Sequence, residues 1–294
     1  MRAELRNRLI FGIAIAGLVI GACAYDMIAG SHLGLLMVGI VGGVAGSIEF
    51  AKLARSHATH TRLAPLIVVV VALVLETQLS LLLGDSAARE AALLPIIPLL
   101  LGFGLMWTVL AQMFRHATED FFANVGSTML GMIYLGISLH LLERLALIEV
   151  PGHATLGTQL VLVFLGTTKL GDVAAYFGGR AFGRHKMSPR ISPGKTWEGF
   201  AFSFVGAIGG AYLFTWVLSL CSAHPPFDAW WKPLVWALVL GPLGVAGDLA
   251  ESAMKRDAAV KDSGTAVPGF GGFLDILDAV ILAAPVAYVM ALVL

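Results

Sequence analysis

Apolar residues run through this chain in long blocks, with neither the alternation of a half-buried strand nor the single stripe of a surface helix. Such blocks are found at about Leu9 to Ala29, Leu33 to Phe50, Leu63 to Leu83, Ala91 to Met113, Asn124 to Leu142, Thr158 to Phe177, Phe200 to Cys221, Pro233 to Gly247 and Leu274 to Leu294. Most are close to the roughly 20 residues that a helix needs to cross the hydrocarbon of a bilayer. They are too uniformly apolar for the strands of a barrel, and in lipid only helices or closed barrels satisfy their backbone groups. The pattern therefore predicts an all-α, polytopic integral membrane protein with about nine transmembrane helices.

Composition agrees. Across 294 residues, 58% are hydrophobic and only 13% charged, with a mean hydropathy of +0.85, far from the roughly 25% charged residues of soluble domains. A water-soluble fold is excluded. The basic start, short apolar run and small residues around Ala22 and Ala24 imitate a cleaved signal peptide or, less well, a lipobox. Because apolar character resumes at once, a first transmembrane helix accounts for the same residues. Cys23 and Cys221 stand at unrelated apolar positions and suit neither a disulfide scaffold nor a zinc site.

Nineteen Lys and Arg balance nineteen Asp and Glu, so net charge gives no reason to expect a nucleic-acid partner. Their distribution is informative. With the N-terminus in the cytoplasm, 15 of the 19 cations fall on inner segments and Arg89, Arg144 and Lys232 on outer ones, while Lys169 lies inside a span. The positive-inside rule then predicts a cytoplasmic N-terminus and a C-terminus outside. Residues 1–150 form an N-terminal region of about five helices. Residues 151–294 form a C-terminal region with two long inner loops, 178–199 and 248–273, which are rich in Gly, Pro and charge. Gly39, Gly42, Gly43 and Gly46 make a small-residue face suited to helix packing.

Chemistry concentrates in the C-terminal region. Lys169 and Asp172, three apart on one helix, can pair. An ionisable pair at that depth either fixes helix orientation or marks a site. Beyond them Arg180, Arg184, Lys186, Arg190 and Lys195 line a turn-rich segment that could surround a polyanion, although the inward bias of cations explains part of the group. Ser192 to Thr196 imitates the end of a P-loop, but residue 189 is Pro where the first glycine belongs, and no strand is expected before it. Further on, six acidic residues lie within the 31 from Asp248 to Asp278. If the eighth span continues as a helix, Asp248, Ser252 and Lys255 share one face, as do Asp275 and Asp278 on the ninth. Carboxylates converging from two helix ends need a cation, and hard oxygen ligands without Cys or His suit magnesium held together with a nucleotide phosphate.

These residues resemble the signature of the phosphatidate cytidylyltransferases. Its S-x-x-K-R-x4-K-D portion is similar to Ser252, Lys255, Arg256, Lys261 and Asp262, followed by Gly264 or its neighbour. Its P-G-H-G-G-x-x-D-R-x-D portion is similar to Pro268 through Gly271, Gly272, Asp275 and Asp278. An upstream G-D-L-x-E-S occurs at Gly247 to Ser252, and the segment from Asp172 through Ser192, Lys195 and Thr196 to Gly199 is similar to the family's other long motif. Two positions depart: Phe270 replaces the pattern's His and Ile276 its Arg, so any contact those side chains make to nucleotide is absent here.

The resemblance implies transfer of a cytidylyl group from CTP to phosphatidate, giving CDP-diacylglycerol and pyrophosphate. It implies Mg2+ held by Asp248, Asp275 and Asp278, a second cation, monovalent or divalent, being compatible. Lys255 and Asp172 join those aspartates as catalytic candidates. Lys195, Ser192, Arg256, Lys261, Asp262, Ser252, Gly271 and Gly272 are the candidates for binding substrate. The setting it implies is the cell's inner membrane, crossed many times, with the site on the cytoplasmic side, membrane lipid as partner and a homodimer as a compatible assembly. Two other readings compete: an inactive divergent homologue, and a secondary transporter using Lys169, Asp172 and Glu76, which calls for inverted halves that the N-terminal region does not display. The D-G-x2-A-R pattern of CDP-alcohol phosphatidyltransferases is missing. Glu49 and Glu76 are left as pairing residues or as part of a lipid entrance.

Overall fold

The computed structural model describes residues 2–55, 60–82, 96–116, 118–222, 224–269 and 271–294. Arg89 and Phe270 lie outside them, as does the start of the span expected from Ala91. The helices are α1 (Arg2–Ala29), α2 (Leu33–Arg55), α3 (Leu63–Leu82), α4 (Ile96–His116), α5 (Phe121–Ala146), α6 (Leu156–Phe182), α7 (Trp197–Cys221), α8 (Trp231–Asp257) and α9 (Leu274–Val293). Eight of them are long and apolar enough to cross a membrane; α3 has a shorter apolar stretch, Leu63–Leu79. This is an all-α polytopic membrane protein. Its outward faces carry large apolar side chains such as Phe114, Phe122, Leu99 and Met106, as a surface bathed in lipid tails requires.

Both long loops are shorter than the sequence suggests. α6 continues to Phe182, and residues 183–196 fold back as an antiparallel hairpin of β1 (Lys186–Ser188) and β2 (Ser192–Thr196). α7 then starts at once because Thr196, in extended conformation, accepts a hydrogen bond on its Oγ1 from Gly199 N at 3.1 Å, an N-cap that satisfies one of the orphan amides of the first turn. α8 likewise extends through Asp257, so ten residues expected in the second loop are helical. Asp248, Glu251 and Lys255 share one face there, Asp248 meets Lys195 of the hairpin, and Glu251 pairs with Lys255 one turn on.

Packing divides between two apolar clusters. One joins α2, α3 and α5 around Phe50, Leu66, Leu73, Met132 and Leu135. The other joins α6, α7, α8 and α9 around Phe164, Trp236 and Leu240. α9 serves both: Leu274 and Ile281 belong to the first, Val280, Ala283 and Ala287 to the second. The glycine face of α2 does pack helices, since Cβ atoms there would meet Glu143 and Val74 at Gly39, Val70 at Gly43 and Leu135 at Gly46. Midway along α5, Met132–Ile137 winds as a π-helix, a local widening common near functional sites.

Candidate active site

The site lies where α6, α8, α9 and the hairpin meet. Gly247 and Asp278 are in backbone contact, and a Cβ on Gly247 would run into the Asp278 carbonyl oxygen. This close approach of α8 to α9 sets the next residue, Asp248, beside Asp278. Glu251 follows one turn along α8. One carboxylate oxygen from each of Asp248, Glu251 and Asp278 lies within 4.8 Å of the others.

Three like charges so close repel unless cations balance them. Each has a lysine, and each lysine comes from a different element. Lys195 Nζ, at the end of β2, is 2.9 Å from Asp248 Oδ2 and donates to Val245 O at 3.1 Å. Lys169 Nζ, on α6, is 3.5 Å from Asp278 Oδ1 and donates to Ile276 O at 2.9 Å. Lys255 pairs with Glu251 on its own helix and with Asp275 Oδ1 at 2.5 Å. Lys169 therefore reaches across to α9, and the pairing expected with Asp172 is not among the ion pairs of the described residues. Asp172 faces the same group and is within electrostatic range of Lys169, Asp278, Asp248 and Lys195.

The expected metal ligands are only partly brought together. Asp248 and Asp278 converge, but Asp275 points to the loop. Its Oδ2 accepts from Ser263 N at 3.0 Å, Ser263 Oγ at 2.7 Å and Gly272 N at 2.8 Å, while Lys255 holds its Oδ1. Glu251 occupies the third place in the cluster. Spacing could have found it, because Asp248 and Glu251 share a helix face at i, i+3.

Among the substrate-binding candidates, Ser252 donates to Asp248 Oδ1 at 3.2 Å and so steadies one carboxylate of the cluster. Arg256 is exposed and spends its guanidinium on two carbonyls, Ile191 O at 3.2 Å and Val260 O at 3.0 Å, tying the hairpin to the loop after α8. Ser192 pairs with Ser188 at the hairpin's turn. Lys261 and Asp262 are exposed on the second loop. There Val267 and Gly271 exchange two backbone hydrogen bonds around a tight turn, with Gly269 and Gly271 at φ 90° and 105°, a conformation that side chains with a Cβ resist. Gly272 follows and directs its N–H onto Asp275.

Two contributors from the N-terminal region were not placed here by sequence. Tyr134, in the π-helical stretch of α5, lies within electrostatic range of Glu251, Asp278 and Asp248, and its buried hydroxyl has no hydrogen-bond partner. Glu49 on α2 accepts from the backbone at the start of α9.

The donor set fits a hard divalent cation. Glu251 is fully buried and, although Lys255 lies against its Oε2, its Oε1 has no hydrogen-bond partner. A buried carboxylate oxygen left without a partner is costly, and coordination by a cation shared with Asp248 and Asp278 would remove that cost.

Comparison with known proteins defines the class. The profile described as the cytidylyltransferase family matches residues 6–294, and the chain belongs to that family. It is 38% identical over 158 residues to the phosphatidate cytidylyltransferase of Brucella suis, covering 54% of each protein. It is 34% identical over 194 residues to that of Chlamydia pneumoniae, covering 64% of this chain and 60% of the relative. A third relative, phosphatidate cytidylyltransferase 4, chloroplastic, of Arabidopsis thaliana, is 31% identical over 97% of this chain and 73% of its own length. The chain spans about half the length of the Brucella relatives it matches.

Proposed function

We propose that this protein is a phosphatidate cytidylyltransferase: it joins the cytidylyl group of CTP to phosphatidate, releasing pyrophosphate and leaving CDP-diacylglycerol in the bilayer. The observation that carries this reading is the meeting of Asp248, Glu251 and Asp278 with lysines from three elements, at a point lined both by membrane helices and by polar loops. The names of the similar proteins agree with it. The bacterial relatives support the inner membrane as the setting, and the distribution of cations supports a site facing the cytoplasm.

In the reaction a phosphate oxygen of phosphatidate forms a bond to the α-phosphorus of CTP. The bond from that phosphorus to the bridging oxygen breaks, and pyrophosphate leaves with the electron pair. A phosphate monoester is largely a dianion at neutral pH, so the attacking oxygen needs no general base. What must be overcome is the repulsion between two anions, and alignment and charge neutralisation govern such transfers. Asp248, Glu251 and Asp278 would hold Mg2+, which supplies countercharge for the triphosphate. Lys195 Nζ, at the end of a hairpin strand, is placed to bind phosphate oxygens of the nucleotide. Lys169 is set at membrane depth with its side chain 43% exposed, and an ammonium group with three donors can hold the lipid phosphate while keeping Asp278. Lys261, Asp262, Gly271 and Gly272 border the loop over the nucleotide, whereas Arg256 acts by anchoring the hairpin.

The test is to incubate purified full-length protein with labelled CTP, phosphatidate and Mg2+ and to count label in chloroform-extractable material. Label should pass into lipid only when phosphatidate and Mg2+ are both present. No transfer, under conditions where one of the similar proteins is active, overturns the reading.

A further inference from the structure

One carboxylate of the N-terminal region reaches the loop that borders the site. Glu49 is 5% exposed, near the end of α2. Its Oε2 accepts from Leu274 N at 2.9 Å, in the first turn of α9, and lies 3.3 Å from Ser263 Oγ, whose single hydrogen it shares with Asp275 Oδ2. An anion there is favoured by the partial positive charge of a helix N-terminus. Ser263 Oγ lies 2.7 Å from Asp275 Oδ2, Asp275 holds Lys255, and Lys255 pairs with Glu251 of the carboxylate cluster. Two glycines make room for the contact. A Cβ on Gly264 would meet Glu49 Oε1 at 2.6 Å, and one on Gly272 would run into Glu49 Oε2 and Ser263 Oγ.

We propose that Glu49 is a positioning residue: it latches Ser263, Gly264, Gly272 and Leu274 onto α2 and thereby sets where Asp275 holds the Lys255 ammonium beside Glu251. The inference builds on the function proposed above. Glu49 touches neither substrate nor cation; it acts through Ser263, Leu274 and Asp275. The latch bears on the nucleotide and cation side of the site, so its loss changes the handling of CTP and Mg2+ while leaving that of phosphatidate alone.

The experiment measures kcat and both KM values for purified full-length wild type, Glu49→Ala, Glu49→Gln, Gly264→Ala and the Glu49→Ala/Gly264→Ala pair. Displacing a positioning contact commonly costs one to two orders of magnitude, so Glu49→Ala should raise KM for CTP at fixed Mg2+ by about tenfold and leave KM for phosphatidate within about twofold. Gly264→Ala should do the same by pushing on the same carboxylate. The double variant should be no worse than either single one, because residues acting through one contact are not additive. Glu49→Gln keeps an acceptor oxygen and should show a smaller change in the same direction, which also serves if the alanine variant does not fold. Unchanged KM for CTP in both Glu49 variants, additive losses in the pair, or a fall in kcat alone from less active protein would overturn the latch. A wild type that transfers no label would instead overturn the proposed function.

Discussion

The two ends of the bundle both bury acidic side chains, and they treat them differently. At the end of α1, Asp26 is 2% exposed; its Oδ1 accepts from Gly34 N at 2.8 Å and Ser31 Oγ at 3.0 Å, and its Oδ2 from Leu35 N at 2.9 Å. That carboxylate caps α2, using donors that belong to the fold itself. Glu76, toward the same end, lies 3.2 Å from His140 Nδ1, which is also 2.8 Å from Leu73 O. Asp26 is held by local donors, whereas Glu76 stands alone beside His140, with no hydrogen-bond partner for its Oε2 among the described residues. At the other end three carboxylates crowd together and are balanced by ammonium groups on long side chains from separate elements. An acid that holds backbone amides is committed to the fold, whereas one that holds an ammonium group can exchange that partner for a metal ion. The contrast separates a helix cap from a carboxylate cluster that a cation could join, in which Glu251 is buried and Asp248 and Asp278 are half-buried.

That contrast can be broken by substitution. The largest effect is expected from Asp248→Asn or Asp278→Asn: activity should fall by about a hundredfold or more, at normal membrane yield, because countercharge for a developing transition state is removed. Undiminished lipid product from either variant would refute the ligand assignment. Next comes Glu251→Gln, which should raise the Mg2+ concentration needed for half-activation by about tenfold, as loss of a contact to a metal does. At the opposite end Asp26→Asn should leave kcat unchanged but destabilise by roughly 1 to 2 kcal/mol, as loss of a helix cap does, read as a lower melting temperature in detergent. A loss of kcat at unchanged stability there would erase the distinction between the two ends.

The smallest effect concerns His153, in the connection between α5 and α6. It is 9% exposed and packs against the His224 ring, the centroids 5.4 Å apart and the rings tilted by 41°. Burial above all, then neighbouring His224, lower its pKa against the opposing effect of its bond to Gln159. The folded state therefore prefers the neutral ring, so its contribution to stability is complete above the ordinary histidine pKa of about 6.5 and shrinks as pH falls below it. Melting temperature should drop between about pH 7.5 and pH 5.5, and less so in His153→Gln.

Much of this was legible in the sequence. Uninterrupted apolar blocks fixed the fold class, and the glycine face of α2 packs as its small residues suggest. Asp248 and Asp278 stood out because the pattern put charged residues on facing sides of two neighbouring helices, although Asp248 lies inside α8 and not at its end. The misreadings have a common physical cause. Charge inside Asp248 to Asp257 looked like loop, but a helix can carry such charge when it is paired, here one turn along for Glu251 and from the distant hairpin for Asp248. Lys169 takes Asp278, 109 positions on, in preference to the nearby Asp172. Asp275 resembles a ligand by spacing, yet Ser263 and Gly272 claim it as a loop tie. Glu49 was legible only as a pairing residue or part of a lipid entrance, because its partners lie more than 200 residues downstream.

The measurement that bears most directly on the carboxylate cluster is a Mn2+ titration of the purified full-length protein followed by electron paramagnetic resonance, with Mn2+ standing in for Mg2+ at an all-oxygen site. Wild type and Asp26→Asn should bind Mn2+ saturably and release it to excess Mg2+, while Asp278→Asn loses that binding. Equal binding by wild type and Asp278→Asn, or none by an active wild type, would contradict a cation held by Asp248, Glu251 and Asp278.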